Sequence, residues 1–433
     1  MATPIPIEAT RSALRSFEQA LLSDPNQTLL WTAPSRFPTP MEHSALMQTL
    51  ITWGRSSRIS TLQLGPRVSS PSILRSLLVA DELLVALLVS NRVLRADGQL
   101  VNIDARSALS THMTQRKFID LGEGRNSIVL STLDDAMSWS PDVMSGEGDS
   151  ASTDLSARTQ FFRVTADGLG IENSQSGTGS GEEIVEDDHR RRWLVRTAWP
   201  ASHPLYGQAF SPLGDRVLRP TKNMQRRWQL HHPKGSSPSD WLGQVLWEIF
   251  QNTERHGMRS GGAPIRRAVR MLTSADVESD TRTDTVTGPF AAYIDRIRSA
   301  HGDATPISVT AIIDSGDGLA QTAAERARHV IADEADEIAY MKLAARGDSH
   351  SPDRPMRGFG MKVVATLLSE TDGYMQIRSG SLSVWRDFGA SPFSMTTPDS
   401  PLDWTFDLED RTSPHRRAGS VVTIAIPRVG ARQ

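Results

Sequence analysis

Hydrophobic positions in the first third of the chain fall into short blocks whose spacing switches between two periods. TLLWTAP (28–34) and STLQLGP (60–66) are brief apolar runs closed by proline, and they predict strands. Between them, PMEHSALMQTLITWGR sets Leu46, Leu50 and Trp53 at helical spacing. A second helix is predicted over SPSILRSLLVADELLVALLVS, with Pro71 near its start, and further strands in VLRADGQLVNI and NSIVLSTLD. Helices alternating with strands predict an α/β unit with an at least partly parallel sheet. No catalytic spacing occurs in this region, and its His43 and His112 read as ordinary surface or capping residues.

The periodicity then lapses. MSGEGDSASTDLSA (144–157) and ENSQSGTGSGEEIVEDD (172–188) are small, polar and acidic, as flexible connections are. TQFFRVTADGLGI between them is strand-like, so a decorated hairpin is one reading of the region. HRRRW (189–193) follows the acidic run and reads as its solvated counter-charge, with a nucleic-acid patch as the alternative. The chain is accordingly divided into an N-terminal α/β domain of unassigned fold (1–142), a polar loop-rich connection (143–194) and a C-terminal domain (195–433).

Composition narrows the classes without choosing among them. The 433 residues include 31 Gly and 25 Pro, which fits a loop-rich globular protein of two or three domains. A net charge of −3 excludes a uniformly basic, phosphate-coating surface. The absence of cysteine excludes disulfides, thiolate metal sites and cysteine nucleophiles. The most apolar stretch, LLVALLVS (83–90), is far short of the ~20 residues of a membrane span. No basic-then-apolar leader opens the sequence, and a cytoplasmic location is expected.

Chemistry concentrates in the C-terminal half. SSPSDWLGQVLWEIFQNTERHG begins with a helix-start signal, in which Ser237 can cap, Pro238 suits the first turn and Asp240 follows three residues after the cap. Leu242, Val245, Leu246, Ile249 and Phe250 form an apolar stripe, and Glu248, Asn252 and His256 line the edge beside it at intervals of four. Taken alone, that triplet is also compatible with a solvated helix edge. ISVTAIIDSGDGLA adds an apolar strand that delivers Asp314 into a turn containing Gly316 and Gly318. A carboxylate so placed can accept a hydrogen bond from a base while bare backbone lies against the ring. In RGFGMKVVATLL, Gly358 and Gly360 open a helix, whose free N-terminal amides attract phosphate. DGYMQIRSGSLSVWR and GSVVTIAIP predict three strands of a closing antiparallel sheet.

In order, these segments resemble the boxes of the GHKL superfamily of ATP-binding domains, which includes gyrase, the large heat-shock chaperone, mismatch-repair and histidine-kinase ATPases. The boxes are ExxxNxxxHG (Glu248, Asn252, His256, Gly257), DxGxG (Asp314, Gly316, Gly318), GxG (Gly358, Gly360) and a G[ST] strand (Gly419, Ser420). The first is most similar to that of stand-alone bacterial serine kinases acting as anti-sigma factors. The resemblance covers roughly 195–433 and implies a Bergerat-type α/β sandwich, a mixed sheet covered by helices. It also implies roles: Asp314 accepting from the adenine amine, Asn252 holding Mg²⁺ against the phosphates, and Glu248 deprotonating a water or hydroxyl. Gly358, Phe359 and Gly360 would present amides to phosphate, Lys362 is a candidate phosphate contact, and Ser420 belongs to the nucleotide-side strand. His256 is expected to pack or cap. QTAAERARHVIADEADEIAYMKLAARGDSHSPDRP (321–355), a charged helix over about 320–345 and then a polar loop, would form the lid over the nucleotide.

Two insertions depart from the family pattern, near 258–305 and 386–418. In the first, FAAYIDRIRSA reads as a helix and the rest as loop; both are candidate partner-binding decorations. No phosphoacceptor histidine helix precedes the first box, which argues against a sensor histidine kinase. The sequence runs six residues past Pro427, leaving no space for the transducer domain that supplies a basic residue in gyrase-like members. Hydrolysis is therefore expected to be slow or to await a partner. The resemblance implies an ATP- and Mg²⁺-dependent ATPase whose lid closure switches contact with a protein partner, in a bacterial stress or anti-phage setting. An anti-sigma-type serine/threonine kinase and a non-hydrolysing ATP-gated scaffold are the alternatives, and a homodimer is compatible with each.

Overall fold

The computed structural model describes residues 2–68, 80–99, 286–346, 359–393, 403–412 and 415–428, together with strands at 126–132, 159–165, 170–174, 259–260, 263–264 and 269–277, and isolated positions between 242 and 257. Two sheets organise it, one parallel and one antiparallel.

The first is built from the alternating segments at the start of the chain. β1 (Thr3–Pro4), β2 (Leu29–Trp31), β3 (Thr61–Leu64) and β4 (Arg92–Leu94) pair in that order, all parallel. Helices α1 (Arg11–Ser23), α2 (Pro40–Ser56) and α3 (Asp81–Val89) connect them. Local chemistry sets their starts. The Thr10 hydroxyl accepts from the Ala13 amide, and Thr39 caps α2 through the Met41 amide with Pro40 in the first position.

The second sheet has nine strands. On one side lie β5 (Asn126–Thr132), β6 (Thr159–Thr165) and β7 (Gly170–Ser174). The central members are β10 (Val269–Val277), β11 (Ile307–Asp314), β12 (Tyr374–Gly380) and β15 (Arg417–Pro427), with β13 (Leu382–Asp387) and β14 (Thr405–Phe406) at the other side. Their order is β14-β13-β12-β15-β11-β10-β5-β6-β7, so the sheet runs across both expected boundaries, at 142 and 194. The hairpin reading of TQFFRVTADGLGI holds in β6–β7, and the three closing strands are β12, β13 and β15. Helices α4 (Pro289–His301), α5 (Leu319–Arg326), α6 (Glu334–Arg346) and α7 (Phe359–Glu370) complete the unit, with a small ribbon of β8 (Arg259–Ser260) and β9 (Ala263–Pro264).

Four expectations are corrected. The nine-stranded sheet is antiparallel at every pairing, not the mixed sheet expected for the C-terminal domain. RAVRMLTSADV, read as loop within the first insertion, is β10, paired along its length with β11 and with β5. Its Met271, Thr273, Ala275 and Val277 share one face and are all buried, and Leu272 and Ser274 on the other face are buried as well, a two-sided burial disguised by threonine, serine and alanine. The single charged helix expected over 320–345 is two helices. Arg328 takes a left-handed φ of 54° after α5, the His329 amide returns to the Ala324 carbonyl, and Asp333 starts the next helix through the Asp336 amide. His43 is fully buried, with Nε2 3.1 Å from Asp81 Oδ2 and its ring edge-on to Phe37.

The last correction follows from where α2 lies. It packs against α1 and α3 on one side and against β10, β11 and β15 of the large sheet on the other. It is thus buried on nearly every face and leaves no exposed edge for a histidine. Strand register tells which face of the large sheet it covers. Ile307, Val309, Tyr374, Gln376, Arg378 and Ala425 point one way; Ile312, Asp314, Ser379, Ser420, Val422 and Ile424 point the other. Phe290, Tyr293, Ile294 and Ile297 of α4 cluster with Val309, Tyr374 and Ala425, and Met41 of α2 packs on that cluster. The amino-terminal unit therefore occupies the face opposite Asp314. Among the described residues, no helix is long and apolar enough to cross a membrane.

Candidate functional site

Asp314 ends β11, a strand with every residue buried, and is itself 9% exposed. Its Oδ1 accepts from the Gly316 amide at 2.8 Å, so the carboxylate folds over its own turn and is fixed in direction. Three further chain segments close on this turn. The Ser315 amide donates to the Gly257 carbonyl at 3.1 Å, which joins the end of the first box to the second. The approach is so tight that a Cβ on Gly257 would stand 2.3 Å from the Asp314 Cβ. The Gly419 amide donates to the Gly316 carbonyl at 2.6 Å, bringing in the strand of the last box. Gly419 has φ of 69°, and a Cβ there would lie 1.8 Å from the Asp314 carbonyl oxygen.

Ser379, at the end of β12, is a contributor that sequence reasoning missed. Its hydroxyl accepts from the Leu319 amide at 2.7 Å, just after Gly318, and lies 3.3 Å from the Ser420 hydroxyl. The register pairs Ser379 with Ser420 directly. The serine spacing in RSGSLS is the only sequence signal for it. Asp314, Gly316, Gly318, Gly257, Gly419 and Ser420 are thus brought together by main-chain geometry, on the face away from the amino-terminal unit.

Of the other expected residues, Phe359 and Gly360 are the first two residues of α7, which places a glycine at a helix start as anticipated. Lys362 is in that first turn and half-buried, its carbonyl accepting from the Thr366 hydroxyl. Glu248, Asn252, His256 and Gly358 lie outside the described residues. Near them, Leu242, Val245, Leu246 and Ile249 are buried in the core cluster, as the apolar stripe required.

The segment expected as a lid is docked. Glu337 of α6, 4% exposed, accepts from the Ser381 amide at 3.0 Å and hydroxyl at 2.7 Å, and pairs with Arg416 at 3.2 Å. Trp404 Nε1 donates to the Ala345 carbonyl at 3.1 Å.

The opposite face carries a different chemistry. A half-open cavity of about 60 Å³ between α1, α2, α4 and the sheet is lined by charged groups that include Arg11, Glu18, Glu42 and Arg378. Burial pushes the Glu42 carboxyl above its ordinary range, partly offset by the Thr39 hydroxyl. Beside it Arg417 Nε donates to Glu18 at 2.8 Å, and Arg378 Nε to Asp410 at 2.7 Å. This network leaves Arg378 Nη1 without a hydrogen-bond partner among the described residues, and it shares none of the box residues. No family model, curated protein or solved structure matches the chain.

Proposed function

We propose that the chain is a Mg²⁺-dependent ATPase of the GHKL type, with a Bergerat-type nucleotide site on the Asp314 face and a lid over 321–355 whose movement switches contact with a protein partner. The observation that carries this reading is the convergence of Gly257, Asp314 and Gly419. These segments are separated widely in sequence, and they meet at the strand-end carboxylate where the box pattern requires them. The chemistry suits an adenine ring. A directed carboxylate accepts from an exocyclic amine, and glycine backbone around it lets a flat ring approach.

Among the described residues no cluster of three or more His, Asp or Glu is arranged for a metal. On the box resemblance, Mg²⁺ would be held by Asn252 together with nucleotide phosphates, an ion that takes few protein ligands and is shared with substrate phosphates. Mg²⁺ so held would neutralise charge developing on the phosphates. Glu248, one helical turn before Asn252, would take the proton of the attacking water, and the amides of Gly358, Phe359 and Gly360 would hold phosphate oxygens at the start of α7.

The test follows γ-labelled ATP with Mg²⁺ in the wild type, Glu248→Ala and Asp314→Asn, tracking free phosphate, protein-bound label and nucleotide affinity. Glu248→Ala should keep binding and lower phosphate release at least ~100-fold, the usual scale of a lost general base. Asp314→Asn keeps an acceptor for the Gly316 amide but loses the charge, and should weaken ATP by roughly 10–100-fold, since hydrogen bonds to charged groups are worth about 1.5–3 kcal/mol. Unchanged affinity in Asp314→Asn would sink the assignment of the pocket. Label transferred to protein would replace the ATPase by the kinase reading.

A further inference from the structure

The turn after Asp314 is held from behind by a residue of the amino-terminal unit. Arg55, in the last turn of α2, donates through Nη1 to the carbonyls of Ser315 at 2.5 Å and Gly316 at 2.6 Å, and through Nη2 to Asp317 Oδ1 at 3.3 Å. The Gly316 carbonyl also accepts the Gly419 amide, so one oxygen joins α2, the DxGxG turn and the G[ST] strand. Two more side chains on α2 continue the contact. The Thr52 hydroxyl accepts from the Ala418 amide at 3.0 Å, and Gln48 Nε2 donates to the Arg378 carbonyl at 3.4 Å. Gln48, Thr52 and Arg55 follow one another at helical spacing, forming a polar stripe that engages backbone of three segments: the 315–316 turn, the start of β15 and β12. Both Gln48 and Thr52 are essentially buried, so the stripe is interior and not a solvated edge.

We propose that the amino-terminal α/β unit is part of the nucleotide site, with Arg55 as its positioning residue. Resting on the nucleotide-binding reading above, the inference adds the element that shapes the turn. A guanidinium nitrogen donating to two successive carbonyls, with its neighbour held on Asp317, fixes their direction, and hence that of the Gly316 amide that orients Asp314. Nucleotide affinity and the seating of α2 are then coupled, and the coupling is reciprocal. A partner that draws α2 off the sheet releases nucleotide, and bound nucleotide clamps α2.

The experiment uses the full chain as wild type, Arg55→Ala, Arg55→Lys and Leu50→Ala. ATP affinity is measured by calorimetry, and amide exchange is followed over 40–56 and 315–319 with and without ATP. Arg55→Ala should speed exchange of the 315–319 amides at least ten-fold without nucleotide and weaken ATP about ten-fold, with Arg55→Lys in between. Leu50→Ala removes core packing from the same helix; it should lower stability yet leave the affinity of the folded protein within two-fold. ATP should slow exchange across 40–56 in the wild type. The proposal is overturned if Arg55→Ala leaves the turn's exchange unchanged, or if Leu50→Ala alters the turn and affinity as much as Arg55→Ala does. A wild type that binds no ATP would defeat the nucleotide reading, while the exchange of the 315–319 amides would still decide whether Arg55 holds the turn.

Discussion

Gly419→Ala should cost the protein roughly 2–5 kcal/mol and lower its denaturation midpoint beyond what left-handed strain alone would do. Two effects add. An L-residue at φ of 69° bears left-handed strain of about 1–2 kcal/mol. The new methyl would also sit 1.8 Å from the Asp314 carbonyl oxygen, an atom of the central strand that cannot swing aside. Forcing atoms into a packed interior typically adds another 1–3 kcal/mol. Gly98→Ala is the control. It has a comparable φ of 82°, but nothing lies within 4 Å of the place its Cβ would take, so it should show strain alone. Urea titrations of both variants separate the two contributions. Equal losses would mean that β15 can retreat from Asp314, and that the close approach of the last box to the second is not fixed by packing. Gly419→Ala should also open the Gly419 amide to Gly316 carbonyl bond, so residual folded protein should show faster exchange at the turn.

The elements legible in the sequence were those whose burial pattern is one-sided or strongly apolar. β11 reads as a mainly apolar run because it lies mid-sheet with both faces covered, and the later part of β15 reads likewise. α2 announced itself by Thr39, Pro40 and its Leu46, Leu50 and Trp53 stripe. What escaped was burial of polar residues. β10 carries Thr273 and Ser274 at 2% and 7% exposure, and Thr310 satisfies Ser274 across the strand pair at 3.1 Å. A pattern reading assigns such residues to loops because it cannot see the partner. The same blindness hid the second side of α2. Gln48, Thr52 and Arg55 resemble a solvated edge until the large sheet is laid against them, and only tertiary pairing turns them into ligands of backbone carbonyls and amides. For the candidate site, the order of boxes identified Asp314, Gly257 and Gly419 as neighbours. Ser379 and Arg55 have no motif, since each acts through a position fixed by register or packing.

Arg417→Met should destabilise the protein by about 3–5 kcal/mol, because its guanidinium closes a buried network that joins α1 to the large sheet. The side chain is fully buried and donates to Glu18 at 2.8 and 3.2 Å and to Asp410 at 2.9 Å. Arg378 completes the group, bonded to Asp410 at 2.7 Å and 3.5 Å from Glu18, so two cations face two anions. Removing one cation leaves two carboxylates against a single guanidinium in a largely buried region. Replacing Glu18 and Arg417 together by methionine restores the balance and should recover a large part of the loss, which a double-mutant cycle in urea would read. Additive losses would show that Glu18 and Arg417 act independently. Acid gives a second handle on the same atoms. Burial alone would raise the Asp410 carboxyl, but Arg378 and Arg417 outweigh it and hold the group well below the ordinary carboxylate range. A depressed folded-state value means that the stabilisation is complete above the unfolded value of about 4 and drains away as pH falls below it. The wild type should therefore lose stability steeply below about pH 4. In Arg417→Met, half of the opposing charge is gone, the Asp410 carboxyl protonates at higher pH, and the contribution that Asp410 makes to the acid slope should shrink. An unchanged acid slope would place the acid sensitivity of the fold in other carboxylates and remove Asp410 from the account of how the amino-terminal unit is fastened to the sheet.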